Sequence, residues 1–155
     1  MKIWWFLVGL VVTAFLVSGC GVSIPADPDG TLESATGSTL HVGASLEPGL
    51  IERDGAQLHG PLVDLTETFA GSLNARVEWT VAAEESLIGE LEAGDIDLAI
   101  GGFTDQTPWM DRAGVTRGYT QIDGADGRAL VILVPLGENA LLSTLESFLD
   151  TEVGS

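Results

Sequence analysis

Positive charge is scarce in this sequence. Of 155 residues one is lysine, Lys2, and the basic total is 6, against 23 aspartates and glutamates, a formal net charge of −17. The arginines (Arg53, Arg76, Arg112, Arg117 and Arg128) are spread out and form no basic run. Polyanions need a basic patch to overcome Coulomb repulsion, so nucleic acid and anionic lipid are disfavoured as partners. Cysteine is scarcer still. Cys20 stands alone, which excludes an internal disulfide framework and any multi-cysteine zinc site. His41 and His59 are the only histidines, too few for a histidine-rich metal centre, and neither a metal nor an organic cofactor is expected. An acidic, lysine-poor surface suits salty surroundings, where screening relieves self-repulsion.

What the chain does have is an apolar N-terminus. Lys2 is the only charged residue before an apolar run over residues 3–17, which closes on Ser18-Gly19 ahead of Cys20. A positive start, an apolar stretch and a small-residue end are the layout of an export signal. The alternative is an uncleaved membrane helix, but the run falls short of the roughly 20 residues that cross a bilayer. Leu16-Val17-Ser18-Gly19-Cys20 resembles the lipobox of bacterial lipoproteins. That resemblance implies lipidation of Cys20, cleavage before it, and residence in the periplasm or at the cell surface, anchored to the membrane. Loss of residues 1–19 also removes Lys2, leaving five arginines against 23 acids, a net charge of −18.

Residues 20–38 carry Pro25 and Pro28 among Gly, Ser, Thr and Asp and read as a flexible tether. From Thr39 onward the pattern is that of a folded domain. Leu40, Val42 and Ala44 alternate with His41 and Gly43, as in a strand. Leu62, Leu65, Phe69 and Leu73 follow Gly60-Pro61 at helical spacing. Val77, Trp79 and Val81 give a second strand, residues 84–93 a short helix ended by Gly94, and Ile96, Leu98 and Ile100 a third strand. Strand, helix, strand, helix, strand builds a parallel sheet with right-handed crossovers. Residues 129–134 are an unbroken apolar run, expected for a strand buried on both faces. A closing helix from near Glu138 places Leu141, Leu142, Leu145, Phe148 and Leu149 on one face. The expected fold class is α/β, a mostly parallel sheet of about five strands flanked by helices, with one antiparallel strand. Residues 39–150 supply one domain, and 151–155 a short tail.

In open α/β sheets, ligands sit beyond the carboxyl ends of the strands. The loops there are 45–59, with Glu47-Pro48-Gly49, the short link 82–83, and 101–108, with Gly101-Gly102-Phe103-Thr104 and Thr107-Pro108. Paired glycines let backbone approach a ligand. Thr107-Pro108 reads as a helix start, whose free amides favour anions. Each of these features alone is more often structural, but all of them lie on one rim.

Leu40-His41-Val42-Gly43-Ala44, Gly60-Pro61-Leu62-Val63-Asp64-Leu65, residues 94–104 and Thr116-Arg117-Gly118-Tyr119 together resemble the first lobe of bacterial extracellular solute-binding proteins of family 3, the polar-amino-acid type serving ABC transporters. The resemblance implies a single lobe of a periplasmic binding protein type 2 fold. It implies ligand-facing positions at Glu47, Gly102, Thr104 and Thr107, with a small polar solute, an amino acid or an amine, as ligand and an ABC permease or other membrane protein as partner. Family members place an arginine soon after the Gly-Gly-x-Thr segment. Here Trp109 is near that position and Arg112 comes three residues late, so Trp109, as an aromatic platform or a lid on the local core, and Arg112 complete the candidate set. Members also carry a second lobe between the two crossing segments. Here only Asp123-Gly124-Ala125-Asp126-Gly127 and its flanks stand there, leaving half a cleft that a homodimer or a protein partner could cover.

These readings point to an extracytoplasmic solute-binding lipoprotein. The alternative is an interaction or regulatory lipoprotein that keeps the lobe but not the ligand. A dehydratase-like enzyme ranks below both. Carboxylates are abundant, but with no cysteine in the domain and His41 in a strand, no nucleophile, base and orienting group come together.

Overall fold

In the computed structural model, residues 27–154 are described. The export signal, Cys20 with its lipobox, the first part of the tether and Ser155 lie outside the described residues. Among the described residues no helix is long and apolar enough to cross a membrane.

The alternating pattern around Leu40 forms β1 (Thr39–Ala44), the long segment after it carries β2 (Glu52–Asp54) and β3 (Gln57–His59), and the Val77 pattern forms β4 (Arg76–Val81). β5 is Leu98–Ile100, β6 Ala113–Val115 and β7 Leu133–Pro135. The sheet runs β4-β1-β5-β7-β6, and β2 and β3 pair separately. β1 lies parallel to β4, with Thr39 opposite Arg76, and parallel to β5, with Val42 opposite Leu98. β7 is antiparallel to both β5 and β6, so it alone runs against the other strands of the sheet. The expected architecture is the observed one.

Helices cover both faces. α1 (Thr31–Ala35), α2 (Pro61–Ser72) and α4 (Asn139–Glu152) pack on one side, and α3 (Glu84–Ala93) on the other. In α4 the buried residues Leu141, Leu145 and Leu149 recur every four positions, a single stripe that faces the sheet. Burying each side chain contributes about 2 kcal/mol. Residues 130–134 are all 2% exposed or less, as expected of a strand covered on both faces, although only Leu133–Pro135 forms a regular ladder. Leu130 instead makes single bridges to Thr104 and Tyr119.

Several expectations are corrected. Residues 27–38, assigned to the tether, are folded: α1 lies there, Ala35 is fully buried, and the Gly37 amide donates to the Leu73 carbonyl at 2.9 Å. The physical reason is Glu138, a buried carboxylate that accepts the amides of Asp29 (3.0 Å) and Thr31 (3.1 Å). The assigned tail begins too early, since α4 runs on to Glu152. The loop 45–59 contains the β2–β3 hairpin, whose residues are too polar and exposed to show apolar alternation. Thr107-Pro108 starts no helix. One turn closes, with the Ala113 amide donating to the Trp109 carbonyl at 3.0 Å, and then Ala113 enters β6.

Candidate functional site

The carboxyl ends of β1, β4 and β5 converge on one rim. The Ser45 amide donates to the Ile100 carbonyl at 2.9 Å and the Ala82 amide to Ala44 at 3.2 Å, which ties the three strand ends together. Beyond β1 the chain turns tightly. The Glu47 carbonyl accepts the amides of Leu50 (3.0 Å) and Ile51 (2.8 Å), and the Glu47 amide donates to the Ile51 carbonyl at 3.0 Å. This turn fixes the base of the Glu47 side chain and leaves Leu46 44% exposed beside it.

Glu47 reaches across the rim to Gly102. A side chain at Gly102 would come within 3.0 Å of the Glu47 carboxylate, so the space that glycine leaves is the space the carboxylate fills. Glu47 Oε1 pairs with Arg128 Nη1 at 2.7 Å, with both side chains about one-third exposed (31% and 35%). Among the described residues no hydrogen bond reaches Oε2. Thr104 stands next along the rim, bridged to Leu130, with the Asp105 amide donating to the Ala129 carbonyl at 3.0 Å.

The segment expected to span a second lobe is a short closure. Thr116 Oγ1 accepts the Ile132 amide at 3.0 Å, Tyr119 exchanges backbone bonds with Leu130, and residues 120–129 join the two runs. The closure folds onto the β1 turn, where Gly124 (φ 80°) sits directly over the Gly49 carbonyl oxygen. Only glycine fits there, because any Cβ would overlap that oxygen and the backbone is left-handed.

The structure brings together Glu47, Gly102 and Thr104, with Thr107 in the next turn, its amide donating to the Thr104 carbonyl at 2.9 Å, but not Trp109 and Arg112. Thr107 is buried, and its Oγ1 has no hydrogen-bond partner among the described residues. Trp109 packs against the α3-side core of Leu87, Ile88 and Leu91, with its Nε1 likewise unpartnered. It is a lid on that core, and the cation over its ring is the chain's own: the Arg112 guanidinium carbon lies 5.6 Å from the ring centroid. Arg112 itself immediately precedes β6, at the opposite end of the sheet. Both Nε and Nη2 donate to Glu92, and the pair walls a cavity of about 570 Å³ with Asp29, Asp97 and Asp111. Pairing with Arg112 holds the Glu92 carboxyl below its ordinary value. The sequence reading missed Arg128, the arginine that does reach the rim. No spacing rule marks it, because the closure that carries it replaces a segment of quite different length.

His41 lies in β1 as expected, exposed, with its backbone amide on Asp97 Oδ2 (2.8 Å) and its ring Nδ1 3.3 Å from the same oxygen. No group of three or more His, Cys, Asp or Glu side chains is placed to hold a metal among the described residues.

No protein-family model and no curated protein matches the sequence. Solved structures do match. The arginine-bound form of domain 1 of the protein TmArgBP, from T. maritima, aligns with a TM-score of 0.67 at 24% identity, covering 77% of this chain and 97% of that one. An amino-acid ABC transporter substrate-binding protein from Streptococcus pneumoniae, bound to L-arginine, aligns at 0.67 with 12% identity over 80% of this chain and 93% of its own. An arginine-specific periplasmic binding protein of Salmonella typhimurium aligns at 0.62 with 16% identity, covering 76% and 94%. This chain has the fold of a single periplasmic binding protein lobe.

Proposed function

We propose that the protein is an extracytoplasmic solute-binding lipoprotein, anchored through Cys20, whose single lobe takes a small polar solute at the rim around Glu47. The observation that carries this reading is the Glu47 carboxylate itself. It lies over Gly102 at the carboxyl ends of β1 and β5, one-third exposed, with Oε2 available to a ligand. Gly102 and Thr104 supply backbone and hydroxyl groups on the same rim, with Thr107 in the turn beside Thr104, while Arg112 is engaged by Glu92 and Trp109 away from it.

A lone lobe is a shallow site, and incomplete desolvation costs affinity. The arginine-bound domain 1 from T. maritima nevertheless describes one domain of this fold holding a ligand, which supports a single lobe as a sufficient unit here. An ABC permease is the natural acceptor for a solute held this way. A second copy or another membrane protein could cover the rim.

The second reading, an interaction module without a ligand, draws on the Glu47–Arg128 pair, in which the carboxylate and the guanidinium of the rim already satisfy one another. Isothermal titration of the exported domain with amino acids and their decarboxylated amines separates the two. Binding that is abolished by Glu47→Ala supports the solute site. No heat from any member of the panel leaves the interaction reading in its place.

A further inference from the structure

Arg128 is held more firmly than a surface ion pair requires. Its Nε donates to the Ala125 carbonyl at 3.1 Å, its Nη2 to the Gly124 carbonyl at 3.4 Å, and its Nη1 to Glu47 Oε1 at 2.7 Å. The first two bonds fold the side chain back on its own loop, so the guanidinium is fixed before Glu47 reaches it. Gly124, seated on the Gly49 carbonyl, fixes that loop to the β1 turn through the backbone. A guanidinium has five N–H groups, and these bonds use three. The rim therefore presents unspent donors beside an unspent carboxylate oxygen, Glu47 Oε2, within the span of one small molecule.

We propose that Arg128 is a specificity-determining residue of this rim, one that selects against solutes carrying positive charge alone. The inference rests on the solute-binding reading above. A bare cation drawn to Glu47 Oε2 also meets a fixed positive charge a few ångströms away, in a setting only partly screened by water. A bare anion drawn to Arg128 meets Glu47. A solute with an ammonium and a carboxylate on one short scaffold satisfies both groups, and the carboxylate can engage the guanidinium through charge-assisted bonds. Arg128 thus converts an acidic spot, on a chain of net charge −17, from a general cation trap into a dipolar site. On a surface so acidic, an unguarded carboxylate would collect any amine.

The test compares arginine with agmatine, which has the same guanidinium arm but no carboxylate, by calorimetric titration of wild type, Arg128→Gln and Arg128→Lys. Wild type should prefer arginine by at least about tenfold. Arg128→Gln should lose most of that preference through a gain in agmatine affinity, and Arg128→Lys, which keeps the charge, should retain part of it. A wild type that binds arginine, with an unchanged preference in Arg128→Gln, overturns this inference and leaves the solute site standing. A wild type and an Arg128→Gln protein that bind neither compound overturn both readings. If Arg128→Gln does not fold, the salt dependence of wild type decides. Raising salt to about 0.5 M, where the Debye length shrinks to a few ångströms, should erode the discrimination against agmatine, and a preference indifferent to salt overturns the proposal.

Discussion

Two carboxylates at opposite ends of the sheet show how a strongly acidic chain uses its acids differently. Glu138 is 1% exposed and fully engaged, accepting the amides of Asp29 and Thr31 and so pinning the segment that leads into the domain. Glu47 is one-third exposed, engages Arg128 through one oxygen and shows the other to the rim. A buried charge persists only where protein groups replace its lost hydration. A half-exposed one is solvated by water and keeps coordination to spare. By this measure Glu138 is architecture and Glu47 is available for binding, and substitutions at each should separate stability from affinity.

The largest effect belongs to Glu138. Glu138→Ala strips two amides of their acceptor and should cost about 2–4 kcal/mol in urea unfolding, whereas Glu47→Ala should cost no more than about 1 kcal/mol, the range for exposed pairs, while removing solute binding. Equal losses at the two sites would dissolve the contrast. Next comes Gly124→Ala, expected to cost about 2 kcal/mol because it combines a left-handed backbone with overlap on the Gly49 carbonyl. As that clash separates the closure from the β1 turn, solute affinity should fall along with stability.

The architectural end carries a pH signature. Asp27 lies beside Glu138, its Oδ2 accepting the Leu32 amide at 2.9 Å and its Oδ1 buried, bonded by no N–H group and so left to share a proton with Glu138. Burial, then the hydrogen bond to Glu138, pushes the Asp27 carboxyl up to about 6. Burial also opposes the charge on Glu138, but the bonds from Asp27, Asp29 and Thr31 outweigh it and hold Glu138 below its ordinary value. The pair therefore shares one proton, carried on Asp27. A raised acid stabilises the folded state below its unfolded value and loses that contribution as pH rises through the folded one, so Asp27 should weaken the fold between about pH 4 and pH 6. Glu138, lowered, acts in the other direction and only at more acidic pH. Asp27→Asn, which donates to Glu138 at every pH, should match wild type near pH 4 to 5 and exceed it in thermal stability above pH 7. Identical pH profiles for the two proteins would show that the carboxyl pair does not hold the segment.

Much of this fold was legible because its elements obey simple periods. The alternation of Leu40, Val42 and Ala44 and the four-residue stripe of α4 are imposed by burial, and burial leaves its mark on composition. The segment 27–38 was misread for the complementary reason. Its proline, glycine and polar residues look solvated, and what folds them is Glu138, more than 100 residues away, acting through backbone amides that sequence does not display. The candidate site divides along the same line. Glu47, Gly102 and Thr104 sit where strand ends put them. Thr107 stays in the turn next to Thr104, whereas Trp109 and Arg112 follow the chain away from the rim, a path set by the single turn before β6.

Arg112 is the sharpest and smallest test of that division. Its guanidinium is already committed to both oxygens of Glu92 and to the face of Trp109, at the end of the sheet away from Glu47. If the rim takes a solute carboxylate, Arg128 is the arginine placed to meet it. Arg112→Ala should therefore leave solute affinity within about twofold, a difference under roughly 0.4 kcal/mol, with only a slight change in melting temperature, since an exposed ion pair contributes little. Arg128→Ala, removing the same kind of side chain from the rim, should change the ranking of solutes. A tenfold loss of affinity in Arg112→Ala would mean that the site extends along the whole post-β5 segment, and the distinction between the two ends of the sheet would have to be redrawn around Trp109.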